Sequence, residues 1–264
     1  MSRNRRLLAS SYSLLNRLNL RRVEECATLI RWLEAAPGER ILDVGCGDGS
    51  NAAAIARVGA SVVGIDVNSE RLALATARKG SSLVVFRRMD AADLEFEDES
   101  FDKVVSFCAI EHFPSDERVL AELHRVLRPG GVLALSADSL SNPEITDSER
   151  AAHRTRYAAY TLYTPEVVGD KLGRAGFELE RTRYILTTPL ALRLVRLSWR
   201  LDDLPPRLLP AKILGYVLLR VLGKPISDLA ERVARRPDTG LTLLVRAHKR
   251  SGLLKGPGRG GREA

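Results

Sequence analysis

Cysteine is scarce: Cys26, Cys46 and Cys108 are the only ones in 264 residues. An odd number without a CxxC pair, and with no histidine at metal-ligand spacing, argues against a disulfide framework and a zinc site. No metal is expected, and a reducing, cytoplasmic setting is. Aromatic residues make up 5%, which leaves few platforms on which single-stranded bases stack, so nucleic acid is not an expected partner. Long apolar runs are also missing. The longest, residues 213–219, falls far short of the ~20 residues that span a bilayer as a helix. The basic start MSRNRRLL runs into SSYS rather than an apolar segment, so no signal peptide is expected.

What remains is the composition of a globular chain, 45% hydrophobic and 28% charged, long enough for one large α/β domain with an insertion. Its net charge of +8 is unevenly spread. Residues 41–188 hold 17 basic and 23 acidic residues, a net −6, whereas residues 189–237 hold ten basic and four acidic, a net +6. Residues 1–40 add eight arginines against four acids. An acidic core wrapped in basic segments points to contact with an anionic surface.

Residues 21–35 read as an amphipathic helix with Val23, Cys26, Ile30 and Leu33 on its apolar stripe, ended by Pro37-Gly38. From there ERILDVG, SVVGID, SLVVFRR, FDKVVSF and GVLALSA are short β-branched runs separated by helical stretches. That alternation predicts βαβ units, hence a doubly wound α/β fold with a mostly parallel sheet. A polar linker (138–154), a helix (164–175) and a strand (177–186) follow. A last strand (241–247) comes only after 189–237, which is too long and apolar for a loop and is expected to be a helical insertion. The organisation expected is an N-terminal helical segment (1–36), a core domain (37–188 and 238–248), the insertion (189–237) and a disordered glycine-rich tail (249–264).

Ile41–Gly49, ILDVGCGDG, is a buried strand running into a glycine turn. A dinucleotide fingerprint would need glycine at position 50, where Ser50 stands. The tighter GxGxG turn of Gly45, Gly47 and Gly49 suits a nucleoside. Asp66 ends the second strand, where a carboxylate can accept both hydroxyls of a ribose. Asp90, with the backbone of Ala91, stands where an adenine amine and ring nitrogen can be met. Phe107 and Cys108 end the fourth strand at the switch point, and Glu111-His112 follow.

LDVGCGDG, GIDVN, MDAADLEFEDESFDKVVS, IEHF and ELHRVLRPGG, in that order, resemble the class I S-adenosylmethionine-dependent methyltransferases, in particular those acting on quinones, sterols, lipids and other small molecules. The resemblance implies seven strands in the order 3-2-1-4-5-7-6, with the last antiparallel and the insertion before it. It implies that Asp43 and the Gly45–Gly49 backbone hold the methionine part of the cofactor, with carbonyls near Phe107 and Cys108 at the same end. Asp66 would hold the ribose, and Asp90 with Ala91 the adenine. Met89 replaces a common glycine and is expected to crowd the adenine loop. The function implied is S-adenosylmethionine-dependent methylation of a small-molecule or lipid-like acceptor. The alternatives are a nucleotide-dependent oxidoreductase, which Ser50 disfavours, and a non-catalytic methyltransferase-like subunit.

Methyl transfer needs alignment more than a protein nucleophile. His112, with Glu111, is the expected catalytic pair, a base for a hydroxyl acceptor, and Tyr157, Tyr160 and Tyr163 are candidates to line the acceptor pocket. In 189–237, Arg193, Arg196 and Arg200 form one stripe beside Leu190, Leu194, Leu197 and Leu201, with Trp199 as an interfacial anchor. This predicts a cover over the acceptor pocket that dips into an anionic membrane interface or holds a greasy substrate. Packing on the domain, or a homodimer interface, is the competing use.

Overall fold

The computed structural model describes residues 14–78, 81–234 and 237–250. Seven strands form one sheet in the order 3-2-1-4-5-7-6, as the motifs imply. They are β1 (Arg40–Val44), β2 (Ser61–Asp66), β3 (Val84–Arg88), β4 (Phe101–Phe107), β5 (Leu127–Asp138), β6 (Phe177–Ile185) and β7 (Thr242–Lys249). β1 lies between β2 and β4, parallel to both, with Asp43 level with Gly64 on one side and Val105 on the other. β7 runs antiparallel between β5 and β6. The chain therefore reverses its winding at β1, and the crevice at the carboxyl ends of β1 and β4 is where such sheets receive ligands.

Helices cover both faces. α1 (Leu20–Leu33), α2 (Ser50–Ile55) and α3 (Ser69–Ala77) are followed by α4 (Asp116–Val126), α5 (Asp147–Tyr157) and α6 (Pro165–Arg174), and α7 (Pro189–Asp202), α8 (Leu209–Leu218) and α9 (Lys224–Ala234) fill the interval before β7. On one face Leu120 and Leu123 of α4 join Val168 and Leu172 of α6 over Val104 and Leu133. On the other, Leu29 and Leu33 of α1 meet Leu192 and Val195 of α7 over Ile41 and Val105. Each such fully buried side chain contributes roughly 1.5–3 kcal/mol, so α1 and α7 are integral to the domain. None of the described helices is long and apolar enough to cross a membrane.

Several expectations are corrected. The stripe of α1 that faces inward carries Leu20, Glu25, Thr28, Leu29 and Leu33; Val23, Cys26 and Ile30 lie at its margin, because polar Glu25 and Thr28 find a place in the interior. Within the expected linker 138–154 lies α5, started by a capping box in which Thr146 and Glu149 satisfy each other's backbone N–H groups. Lys249, assigned to the tail, ends β7, where its Nζ donates to the Leu127 carbonyl at 2.8 Å; residues 251–264 lie outside the described residues, as do 1–13. In α7 the face turned inward is Ala191, Leu192, Val195 and Ser198, while Arg196 is spent on Glu149 at 2.7 Å. Trp199 is no surface anchor. It is partly buried and lies 5.9 Å from the His153 ring.

From Leu209 to Ala234 the chain is helical throughout, with a π turn at Leu219–Gly223 between α8 and α9. Pro225 explains the π turn: without an N–H, and with a ring that crowds the preceding turn, it fits an α-helix poorly.

Candidate active site

The glycine turn after β1 is built by backbone geometry that side chains resist. Gly45, Gly47 and Gly49 all take positive φ, at 71°, 54° and 74°. A Cβ on Gly45 would stand 2.6 Å from that of Ala109, whereas one on Gly47 would meet nothing within 4 Å. The turn is thus packed on its β4 side and open at its middle, leaving room for a ligand to approach the chain. Cys46 N–H donates to the Ile65 carbonyl at 2.9 Å and Gly47 N–H to Asp66 Oδ2 at 2.9 Å. Asp66 Oδ1 also accepts from Asn68 N–H at 2.8 Å. The carboxylate is therefore aimed from two sides, with further lone pairs available on each oxygen.

Asp43 is fully buried, and neither of its carboxylate oxygens has a partner. Burial, followed by the charges of Asp66 and Asp48, pushes its carboxyl up to about 7. Asp90 is exposed, and its Oδ1 accepts from Ala92 N–H at 2.9 Å, fixing the loop after β3. Met89 does not crowd that loop, because its side chain is buried in the core with Leu42 and Val63.

At the end of β4, Phe107 and Cys108 are buried, and Cys108 holds φ at 43°, a conformation rare for a residue with a side chain and frequent at functional sites. Its N–H donates to Ser136 Oγ at 2.9 Å. Burial, with the Glu25 charge, pushes the Cys108 thiol well up. Glu111 is fully buried; Oε1 accepts from Asp138 N–H at 3.3 Å and Oε2 has no partner. Burial and Asp138 push its carboxyl up to about 8. His112 is one third exposed, its Nε2 stands 3.9 Å from Glu111 Oε1, and its Nδ1 is buried without a partner. Burial lowers its ring below the usual histidine range.

The structure thus gathers Asp43, the glycines, Asp66, Phe107, Cys108, Glu111 and His112 around the carboxyl ends of β1, β2 and β4, with Asp90 and Ala91 on the loop after β3. It also brings in residues that sequence reading missed. Arg21 Nη1 donates to Asp138 Oδ1 at 2.7 Å, and its Nη2 lies 3.4 Å from Cys108 Sγ. Ser136 Oγ donates to Glu25, which also pairs with Arg22 at 3.2 Å. α1 is therefore pinned over the crevice by buried polar groups. A usable signal was present: Asp138 ends a strand beside the switch point, and Arg21 and Glu25 sit one helical turn apart. Cys108, Glu111 and Asp138 offer three ligand atoms within 4.8 Å, but Arg21 already supplies the positive charge there.

Of the tyrosines, Tyr163 is fully buried and its hydroxyl donates to Asp116, so it is a packing residue. Tyr160 is 55% exposed. Tyr157 lies with its ring 4.6 Å from that of His153.

The donor set fits S-adenosylmethionine. A cationic ligand with an ammonium and a sulfonium answers the unpartnered carboxylate of Asp43, the open turn at Gly47 admits it, and Asp66 is set for ribose hydroxyls. Residues 42–135 match the family described as "Methyltransferase domain". The O-methyltransferase cnsE of Penicillium expansum is 34% identical over 152 residues, covering 56% of this chain and 55% of that one. The fatty-acid O-methyltransferase of Mycolicibacterium smegmatis is 37% identical over 116 residues, covering 43% and 42%. The chain thus spans about half the length of the curated relatives it matches. Among solved structures, phosphoethanolamine N-methyltransferase 2 of Haemonchus contortus, in complex with S-adenosyl-L-methionine, shares the fold with a TM-score of 0.64 at 22% identity, covering 86% of this chain and 52% of that one. The motifs, the strand order and the matched segment agree: over residues 42–135 this chain carries a methyltransferase domain of the class I, S-adenosylmethionine-dependent type.

Proposed function

We propose that the protein methylates a small-molecule or lipid-like acceptor. The observation that carries this reading is Asp43, a buried carboxylate with two unpartnered oxygens at the lip of a glycine turn. Leaving such a group unsatisfied costs on the order of 1–3 kcal/mol or more, and a cationic ligand removes that cost. S-adenosylmethionine, when bound, supplies an electrophilic methyl group on a positively charged sulfur. Asp43 and the backbone of Gly45–Gly49 hold its amino-acid portion, with the carbonyls of Phe107 and Cys108 at the same end. Asp66 takes the ribose, and Asp90 with the Ala91 backbone takes the adenine. Cys108, protonated by burial, is no nucleophile. On the acceptor side Glu111 is a neutral acid at neutral pH, and His112 is a neutral ring able to take a proton.

The helices before β7 support a lipid-like acceptor. Leu214, Leu218, Leu222, Ile226, Leu229 and Val233 are all 49% exposed or more along one continuous helical stretch. The two acids in that stretch are occupied, Asp228 by Lys224 and Glu231 by the backbone N–H groups of Thr187 and Thr188. Arg207 and Arg232 flank the stripe, both exposed. An apolar stripe with basic edges is the composition of helices that lie in a headgroup region. We read this face as resting on an anionic membrane, making the protein peripheral on the cytoplasmic side, with a homodimer as the competing occupant. Incubation with methyl-labelled cofactor and fractionated cell extract tests the reaction. Label is expected in the lipid fraction and lost with Asp43→Asn; label absent from every fraction contradicts it.

A further inference from the structure

α5 carries a histidine that no cofactor motif uses. His153 is 6% exposed, and its Nε2 lies 2.6 Å from Asp138 Oδ2 at the end of β5. Asp138 also accepts from Arg21 through Oδ1 at 2.7 Å. Burial by itself would raise the Asp138 carboxyl, but Arg21 and His153 outweigh it and hold it well below the usual carboxylate range. A charged carboxylate only accepts, so Nε2 is the donor, and Nδ1 is the ring nitrogen left to take a proton from an acceptor. No hydrogen bond to Nδ1 is formed among the described residues. Tyr157 and Trp199 fix the ring, with centroids 4.6 and 5.9 Å away. An acid that holds a histidine through one ring nitrogen and leaves the other to meet an acceptor is the arrangement of an activated base. His112 lacks it, since its nearest carboxylate oxygen is 3.9 Å away.

Resting on the methyltransferase reading, we propose that His153, oriented by Asp138, is the catalytic base for a hydroxyl-bearing acceptor, an alcohol or phenol. The acceptor's O–H bond breaks and its proton passes to Nδ1. The oxygen lone pair forms the new bond to the methyl carbon, and the bond between methyl and sulfur breaks with its electron pair left on sulfur. The cation lost at sulfur reappears as an imidazolium, which the Asp138 carboxylate stabilises. A carboxylic acid acceptor, ionised at neutral pH, would need no such base.

The test uses the full chain with nitrogen-15-labelled histidine, saturated with S-adenosylhomocysteine, and reads ring nitrogens by long-range proton–nitrogen spectra. Dodecanol is the hydroxyl probe and dodecane the control. The expected result is the Nε2–H tautomer for His153, an Nδ1 resonance that shifts with dodecanol and not with dodecane, and loss of the tautomer preference in Asp138→Asn. A proton on Nδ1, or an Nδ1 resonance unmoved by dodecanol, overturns the proposal. Calorimetry on the same samples separates the two readings: absence of S-adenosylhomocysteine binding defeats the cofactor assignment, whereas binding with the wrong tautomer defeats only the base. With dodecanol as acceptor, His153→Gln is expected to slow methyl transfer by about 100-fold while cofactor affinity stays within about twofold; an unchanged rate also overturns it.

Discussion

The crevice at the ends of β1, β2 and β4 and the helices before β7 are both unfinished surfaces, in opposite senses. In the crevice, polar groups are sealed in without partners: both oxygens of Asp43, Oε2 of Glu111 and Nδ1 of His112. Along α8 and α9, apolar groups stand in water without cover, with Leu229 63% and Val233 80% exposed. Buried polar groups without partners and exposed apolar stripes are both uncommon in a self-sufficient domain. The first fits a small charged ligand, and the second fits the greasy surface proposed above.

The largest effect expected on this contrast is at Gly45. Gly45→Ala adds a Cβ where φ is 71° and Ala109 is 2.6 Å away. The backbone penalty alone is about 1–3 kcal/mol, and displacement of the turn should weaken S-adenosylhomocysteine binding by more than about 100-fold in calorimetry. An alanine tolerated there at full affinity would mean that the turn does not contact the ligand. Asp66→Ala comes next, at about 1.5–3 kcal/mol of binding energy, the scale of hydrogen bonds to a charged group. Titration calorimetry at matched protein stability reads it.

A third effect is on pH. Asp43 and Glu111 are raised to about 7 and about 8, from ordinary values near 4. Between those limits the folded chain binds more protons than the unfolded one, so stability falls as pH rises from about 4 to about 8, by up to about 1.4 kcal/mol per pH unit for each group. Denaturant unfolding of the ligand-free protein should show this slope, and Asp43→Asn with Glu111→Gln should flatten it. Saturating S-adenosylmethionine, which favours the Asp43 carboxylate, should also reduce it.

The smallest effect on folding belongs to the stripe. Leu218→Ser with Leu222→Ser should change stability by no more than about 0.5 kcal/mol each, because both side chains are about half exposed, yet sedimentation with anionic vesicles at low salt should be lost. A substantial loss of stability, or a change in oligomeric state, would favour a second copy of the chain over lipid as the occupant.

The two regions also differ in how far they could be read from sequence. Strand order and the places of the candidate cofactor residues at the strand ends were legible because each depends on local chemistry: a glycine where φ is positive, or an acid where a strand ends. The residues of the exposed apolar stripe were only half legible. Leu214 and Leu218 fall within the apolar run 213–219, with Leu222 just beyond it, but Leu194 and Trp199 pack inward, since which face of α7 turns to the core is decided by α1 and β1 rather than by its own pattern. The buried network of Arg21, Glu25, Ser136, Asp138 and His153 escaped for a related reason. Its members are spread over 133 positions, from α1 to α5, and only the folded sheet brings them together.

The most direct measurement is calorimetric binding of S-adenosylhomocysteine and of NAD to the wild-type chain and to Asp43→Asn. Binding of S-adenosylhomocysteine on the order of micromolar, about 8 kcal/mol, is expected, weakened about tenfold or more by Asp43→Asn, with NAD bound far more weakly. Tighter binding of NAD, or an affinity for S-adenosylhomocysteine that ignores Asp43→Asn, would contradict the assignment of this crevice to a methyl donor.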